Sequence, residues 1–369
     1  MLIKVESDFV DSFLRKEKLS VEVMFSLLSA IHYGTHAVFF NLNDYARLFP
    51  CTDFGLIERS ALLRAKSMNS RIGALKEATH LLCHVTYAQG THRTDTEIFI
   101  NPSNVTGFDY QAKSIILTEH LSDSDYFLKF ILPNVGKIDP KMRIPIVANQ
   151  IMGGGNPIGD VMAQEVRLKE HFVLAIVDGD RKYPNHNGEG ETSKTVSNAL
   201  RNNPFNAGQY TMHRVMEVEN LIPFALIVDN PNQRTHDIFL HNPLKNYSFF
   251  DMKEGLKCSL DPRYNAYWLD NLKTATYKQS YIDATAKFVK DKAKQEKKAK
   301  DKAEKTKIEK KVVVKGFGSG LLDETLRQIE ERNDPIIDMK ELSEEQLEEW
   351  ETIAFHIIRW CCCYDKARS

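Results

Sequence analysis

Hydrophobic positions change period several times along this chain, and each change marks an element. The longest unbroken apolar run, Phe172-Val173-Leu174-Ala175-Ile176-Val177, stops abruptly at Asp178-Gly179-Asp180. A run without alternation predicts a strand covered on both faces, hence a central strand of a parallel α/β sheet. Three more strands are predicted around it, at 114–118, 143–151 and 209–215. Pro145 lies early in the second and argues for a strand end or an edge position, because proline cannot donate to a ladder. Between strands the period lengthens to that of a helix. Tyr126, Phe127, Phe130 and Ile131 share a face, with Ser122 and Asp123 as candidate N-caps. Ile158, Val161, Met162 and Val166 share another, a third helix covers 193–202, and a fourth runs through Leu221, Ile222 and Phe224. The pattern is β-α-β-α-β-α-β, which predicts one α/β domain over residues 111–228 with right-handed crossovers.

The flanks are less regular. Residues 1–110 predict a small mixed α/β region, with a helix at 21–31, a strand at 37–42 and mostly helix over 53–78. Strands at 80–87 and 96–100 follow, joined by a polar, Gly-containing turn. Residues 229–285 are aromatic and loop-like, with a helix beginning at Tyr277. Residues 286–315 form a Lys-rich helix or linker, and 316–369 hold amphipathic helices at 323–332 and 343–360. Ser343-Glu-Glu-Gln346 predicts a capping box for the last of these. Val312-Val313-Val314-Lys315-Gly316-Phe317-Gly318-Ser319-Gly320 has the look of a dinucleotide fingerprint but lacks the strand and the downstream acid that go with it. It is expected to be a Gly-rich connector.

Composition narrows the function classes. The 369 residues carry 49 basic and 50 acidic side chains for a net charge of -1, so no global positive field points to nucleic acid. A local patch remains, since residues 287–311 contain twelve lysines against five acids. Such a segment is a solvated linker or a sequence-independent phosphate contact. Cys51, Cys83, Cys258 and the run Cys361-Cys362-Cys363 include no CxxC and are expected to be reduced, with Cys363 accessible. His80, His84 and His92 lack a nearby acid or thiol to complete a metal set and are expected to be structural. No apolar run reaches membrane-spanning length and the start of the chain has no signal-peptide pattern, so a cytoplasmic protein is expected.

Chemistry concentrates at predicted strand ends. Asp178 and Asp180 follow the central strand, and period two turns both to one side of the chain. Glu119 ends the strand at 114–118, and Glu217 and Glu219 follow the fourth strand. Ligands of parallel α/β sheets sit beyond the carboxyl ends of the strands, so these acids are expected to converge. Carboxylates forced together take a hard cation, Mg²⁺ first and Mn²⁺ as the alternative. A metal held there polarises a phosphoryl oxygen or activates water, and a carboxylate left among like charges can serve as acid or base.

The ordered set resembles a Toprim domain, the metal-binding α/β fold of topoisomerases, bacterial primases and the OLD family of nucleases. Glu119-His-Leu-Ser-Asp123-Ser-Asp-Tyr-Phe127, the turn Gly153-Gly154-Gly155-Asn156, Val177-Asp178-Gly179-Asp180-Arg181 and Glu217-Val-Glu219-Asn220-Leu-Ile-Pro223 are most similar to the OLD-like branch of bacterial anti-phage systems. The resemblance spans residues 113–225 and departs from the branch at His120, where many relatives have glycine. It implies a Mg²⁺-dependent nuclease cutting DNA or tRNA/RNA as a toxic defence effector. Asp178 and Asp180 would hold one ion, with Glu119 as general acid/base or bridge and Glu217 and Glu219 as second-metal ligands. Arg181 or Lys182 would steady a phosphate. Asp123 is expected to cap a helix. With no Walker A lysine in the chain, any ATPase or regulator is a separate partner, and a homo-oligomer is compatible with the pattern. The alternative is a non-catalytic Toprim-fold adaptor or regulatory subunit of a defence complex.

Overall fold

A computed structural model describes residues 1–105, 107–155, 157–186, 188, 190–229, 233, 236–299, 310–331 and 341–365. The chain is mixed α/β with parallel sheets and packs as two compact units. The first joins Met1–Val177 and Glu191–Thr211 to the C-terminal stretch from Trp350; the second joins Asp178–Gly190 to Met212–Glu349.

In the first unit, β1 (Leu2–Val5), β2 (Ala37–Phe40), β3 (Leu82–Val85), β4 (His92–Arg93) and β5 (Glu97–Ile100) form a sheet of order β2-β1-β3-β5-β4. The strands expected at 80–87 and 96–100 run parallel, Leu82 opposite Glu97, and are not a simple hairpin. The Gly-containing turn contributes β4, which alone pairs antiparallel with β5. A second sheet holds β6 (Ser114–Thr118), β7 (Ala148–Met152), β8 (Val173–Val177) and β9 (Ala207–Thr211), all parallel, in the order β7-β6-β8-β9. Every residue of β8 is buried, as the unbroken apolar run requires. One face packs Val173, Ala175 and Val177 on Ile158, Met162 and Val196 of the helices Ile158–Leu168 and Glu191–Ala199.

Two strand boundaries move. β7 starts at Ala148, and Pro145 lies before it, where the Pro145 carbonyl accepts the Cys363 N–H at 2.9 Å. β9 begins at Ala207 and ends at Thr211, so Glu217 lies six positions past the strand instead of at its tip.

The sequence divides at about residue 110, between a mixed α/β region and the regular α/β pattern. In the structure the sheets on either side of that division share one unit, and the reason is visible in its contacts. Phe108 packs edge-on against Phe172 at 4.9 Å and, tilted, against Phe205 at 5.7 Å. The end of the last helix and the segment after it are stitched to both sheets: Ser114 Oγ donates to the Trp360 carbonyl at 2.7 Å, and Tyr364 Oη donates to the Val38 carbonyl at 2.9 Å. Cys363 is consequently buried, which overturns its expected accessibility. Burial pushes the Cys361 thiol up to about 12 and Cys363 up to about 11.

His36 sits against the Phe172 ring at 5.6 Å and is fully buried. Burial, with a smaller push from the N-terminal ammonium, holds its imidazole well below the ordinary histidine value. The unfolded chain protonates this ring near pH 6.5 and the folded chain does not. Its contribution to stability is therefore full above about pH 6.5 and is lost as pH falls, by at most about 1.4 kcal/mol per unit. Wild type should lose more melting temperature between pH 7.5 and 5 than His36→Gln does; equal losses would exclude this origin.

In the second unit, β10 (Gly255–Lys257) pairs antiparallel with β11 (Val312–Lys315). The 312–321 stretch thus opens as a strand, because three successive valines favour an extended ladder over a mobile connector. The 229–285 region, expected to be loop-like, contains helices Asp237–His241 and Pro262–Asn271, the latter capped by Asp261, whose carboxylate accepts the Arg263 N–H at 2.9 Å. The lysine-rich helix Ala275–Ala299 is described; 300–309 lie outside the described residues. Ser343 and Gln346 make the expected capping box, each side chain accepting the other's backbone N–H at 3.2 and 3.0 Å. Gln346 Nε2 then donates to the carbonyls of Asn220 and Ile222 at 2.7 and 3.2 Å, bracing the acid-bearing segment.

Candidate functional site

Glu119 follows β6 directly in the first unit and is half-buried. Its backbone is fixed by the glycine turn: the carbonyls of Thr118 and Glu119 accept the N–H groups of Gly153 and Gly154 at 2.7 and 3.0 Å. A side chain at Gly153 would overlap Ile158, and Gly154 and Gly155 have φ of +71° and +72°. The turn is therefore a steric requirement, as the triple glycine suggested; Asn156 lies outside the described residues. Asp123 is not the N-cap of the following helix. That position is His120, and the Asp123 carboxylate reaches back from the third helical residue to accept the His120 N–H at 2.9 Å. This contact explains Asp123 structurally.

Asp178, Asp180, Glu217 and Glu219 all belong to the second unit, which gathers them. Asp178 continues directly from β8, and its Oδ1 accepts the Val218 N–H at 3.1 Å. Asp180 takes the left-handed region at φ +51°, with its N–H on the Met216 carbonyl at 3.0 Å. Between them, a Cβ at Gly179 would run into the Met212 carbonyl oxygen, so only glycine lets the chain pass. Glu217 and Glu219 are buried on the short helix Val218–Leu221 and its entry. The Glu217 N–H donates to Asn220 Oδ1 at 2.9 Å, and Asn220 Nδ2 donates to the carbonyls of Tyr247 and Phe250, both at 2.8 Å.

Sequence reasoning missed the cation of this cluster. Lys253 Nζ lies 3.3 Å from Glu217 Oε2 and 3.0 Å from Glu219 Oε1. Glu217 Oε1 accepts the neighbouring Met252 N–H at 3.0 Å. Residues 251–253 sit in a stretch without periodicity, and a lone Asp-Met-Lys carries no signal of its own. Burial, then the Glu219 carboxylate, push the Glu217 carboxyl up to about 8 against the pull of Lys253. Burial raises Asp180 as well, with Asp251 adding to it and Lys182 and Lys253 opposing. Lys253 is itself raised, because Glu219 and Glu217 outweigh the opposing effect of burial. Of the other phosphate-contact candidates, Arg181 is half-buried and Lys182 exposed.

The acids thus outnumber the cations, with Asp178, Asp180, Glu217, Glu219 and Asp251 around Lys253 and Lys182. An all-oxygen, net-negative donor set fits a hard divalent cation, which would relieve the strain that lifts Glu217 and Asp180. Among the described residues no group of three or more His, Cys, Asp or Glu is already arranged to hold a metal. No protein-family model, curated protein or solved structure matches this chain.

Proposed function

We propose that this chain is a Mg²⁺-dependent endonuclease of the Toprim, OLD-like class, cutting nucleic-acid phosphodiesters as the effector of a bacterial anti-phage system. The observation that carries the reading is the acid cluster entered directly from the central strand β8, half-buried at Asp178 and Asp180 and buried at Glu217 and Glu219. In the order β7-β6-β8-β9 the chain moves to one side of β6 and then returns to the other, so the carboxyl ends of β6 and β8 flank the switch point. Open α/β sheets bind ligands at that point. Asp178 leaves one of these ends and Glu119 the other.

Asp178 and Asp180 would hold Mg²⁺, or Mn²⁺ in its stead. Such an ion, when bound, polarises a phosphoryl oxygen and lowers the pKa of water. Glu119 takes the acid/base or bridging role that the resemblance implies, and Arg181 and Lys182 supply charge for the phosphate. The lysine-rich helix adds a sequence-independent contact to a DNA or RNA backbone. A separate ATPase or regulatory protein would restrain the enzyme in the cytoplasm, and a homo-oligomer is compatible with this role. Among the described residues no helix is long and apolar enough to cross a membrane.

The adaptor reading has one observation in its favour, the ion pairing of Glu217 and Glu219 with Lys253. Incubating the full chain with plasmid DNA and with tRNA, with Mg²⁺ or with chelator, separates the two. The nuclease should cut at least one substrate with Mg²⁺ only, and Glu119→Ala should be inactive. Absence of cleavage together with a melting temperature indifferent to Mg²⁺ would favour the adaptor, since binding to the native state must raise stability.

A further inference from the structure

We infer that Lys253 is the resident cation of the Glu217/Glu219 pair, so that the cluster takes one divalent ion, at Asp178 and Asp180, and not two. The inference rests on the proposed metal site and deepens it.

Geometry carries the argument. The Lys253 ammonium bridges the two carboxylates at 3.3 and 3.0 Å, and their side chains are only 9% and 6% exposed. At these distances one ammonium is ion-paired with both carboxylates at once. The backbone that carries it is fixed on both sides. Glu254 N–H donates to Asp251 Oδ1 at 2.6 Å, and Gly255 N–H donates to the Asp251 carbonyl at 2.8 Å. From the other side, Phe317 N–H donates to the Met252 carbonyl at 2.6 Å and Gly318 N–H to the Lys253 carbonyl at 3.1 Å. A Cβ at Gly316 would overlap the Lys253 carbonyl, so this approach needs a glycine. Part of the Gly-Phe-Gly-Ser-Gly stretch is thus explained as the clamp that seats the lysine.

A divalent ion bound by Glu217 and Glu219 would have to sit about 2.0–2.6 Å from their oxygens, in the space the ammonium now fills. Two like charges cannot share that space in a buried setting. At Asp178 and Asp180 the lysine acts through its field. The lysine therefore supplies, as part of the chain, one of the two positive charges a second ion would bring. It is a positioning residue for the acids and no ligand of the metal.

Mn²⁺ titration of the metal-free full chain, read by electron paramagnetic resonance and by calorimetry, tests this directly. Wild type should bind one ion, Glu219→Gln should still bind one, and Asp178→Asn should bind at least tenfold more weakly. Lys253→Met should take up a second ion, and Mn²⁺ should raise its melting temperature more than it raises that of wild type. Two ions in wild type would overturn the inference whether or not the lysine variant folds, as would loss of the ion in Glu219→Gln. A single ion in a folded Lys253→Met also removes the role of Lys253 while leaving the proposed site intact. No ion in wild type at all overturns the proposed metal site, and this inference with it.

Discussion

Asp178→Asn is expected to lower Mg²⁺-dependent cleavage by about 10²–10³-fold, the scale of losing one preorganised electrostatic contact, while the protein melts within a few degrees of wild type. Asparagine keeps an oxygen able to accept the Val218 N–H, now at 3.1 Å, so the turn between β8 and the 217–222 segment stays closed. What disappears is the negative charge. If the residue only organises the turn, activity should survive this isosteric change and fall with Asp178→Ala, which also removes the hydrogen bond. If it holds a cation, both variants should be inactive and only the alanine variant should melt lower. Wild-type cleavage by Asp178→Asn would end the metal reading at this position. Cleavage counted per folded molecule, with melting measured on the same preparations, separates the two cases.

The sheet around β8 was legible because its signal is local. Phe172–Val177 is apolar throughout, and such a run has few other places to go than the middle of a sheet. The triple glycine at 153–155 was legible for a similar reason, since consecutive glycines mark backbone that must turn through positive φ. The sequence places Glu217 and Glu219 at the end of a strand over Gln209–Val215. β9 in fact ends at Thr211, and a non-repetitive segment carries the acids inward. Lys253 was invisible because its partners lie more than thirty positions away and no pattern links them. The division into units was hidden for the same reason. Asp178–Gly190 leaves the first unit in mid-sequence, and the stretch from Trp350 returns to it, joined by contacts such as Ser114 with Trp360. Side-chain period reports burial and says nothing about which distant segment provides it.

Phe172→Ala is expected to be the most destabilising of the substitutions considered. The ring is 1% exposed, stands just ahead of β8, and packs edge-on against Phe108 at 4.9 Å and His36 at 5.6 Å. Removing it loses the transfer free energy of the ring and leaves a cavity that Phe108, held in turn by Tyr110 and Phe205, cannot fill without breaking its own contacts. Such truncations cost about 3–5 kcal/mol. For a domain of about 150–250 residues each kcal/mol moves the midpoint by roughly 2–4 °C, so a drop of about 6–20 °C in melting temperature is expected. Leu63→Ala, at a side chain 58% exposed, should change stability by less than about 0.5 kcal/mol and serves as the control. Because Phe172 supports β8 from its start, and Asp178 continues from its end, the variant should retain cleavage well below its own midpoint and lose it earlier on warming. A Phe172→Ala midpoint within two degrees or so of wild type would mean that the aromatic cluster does not bind the two sheets into one unit.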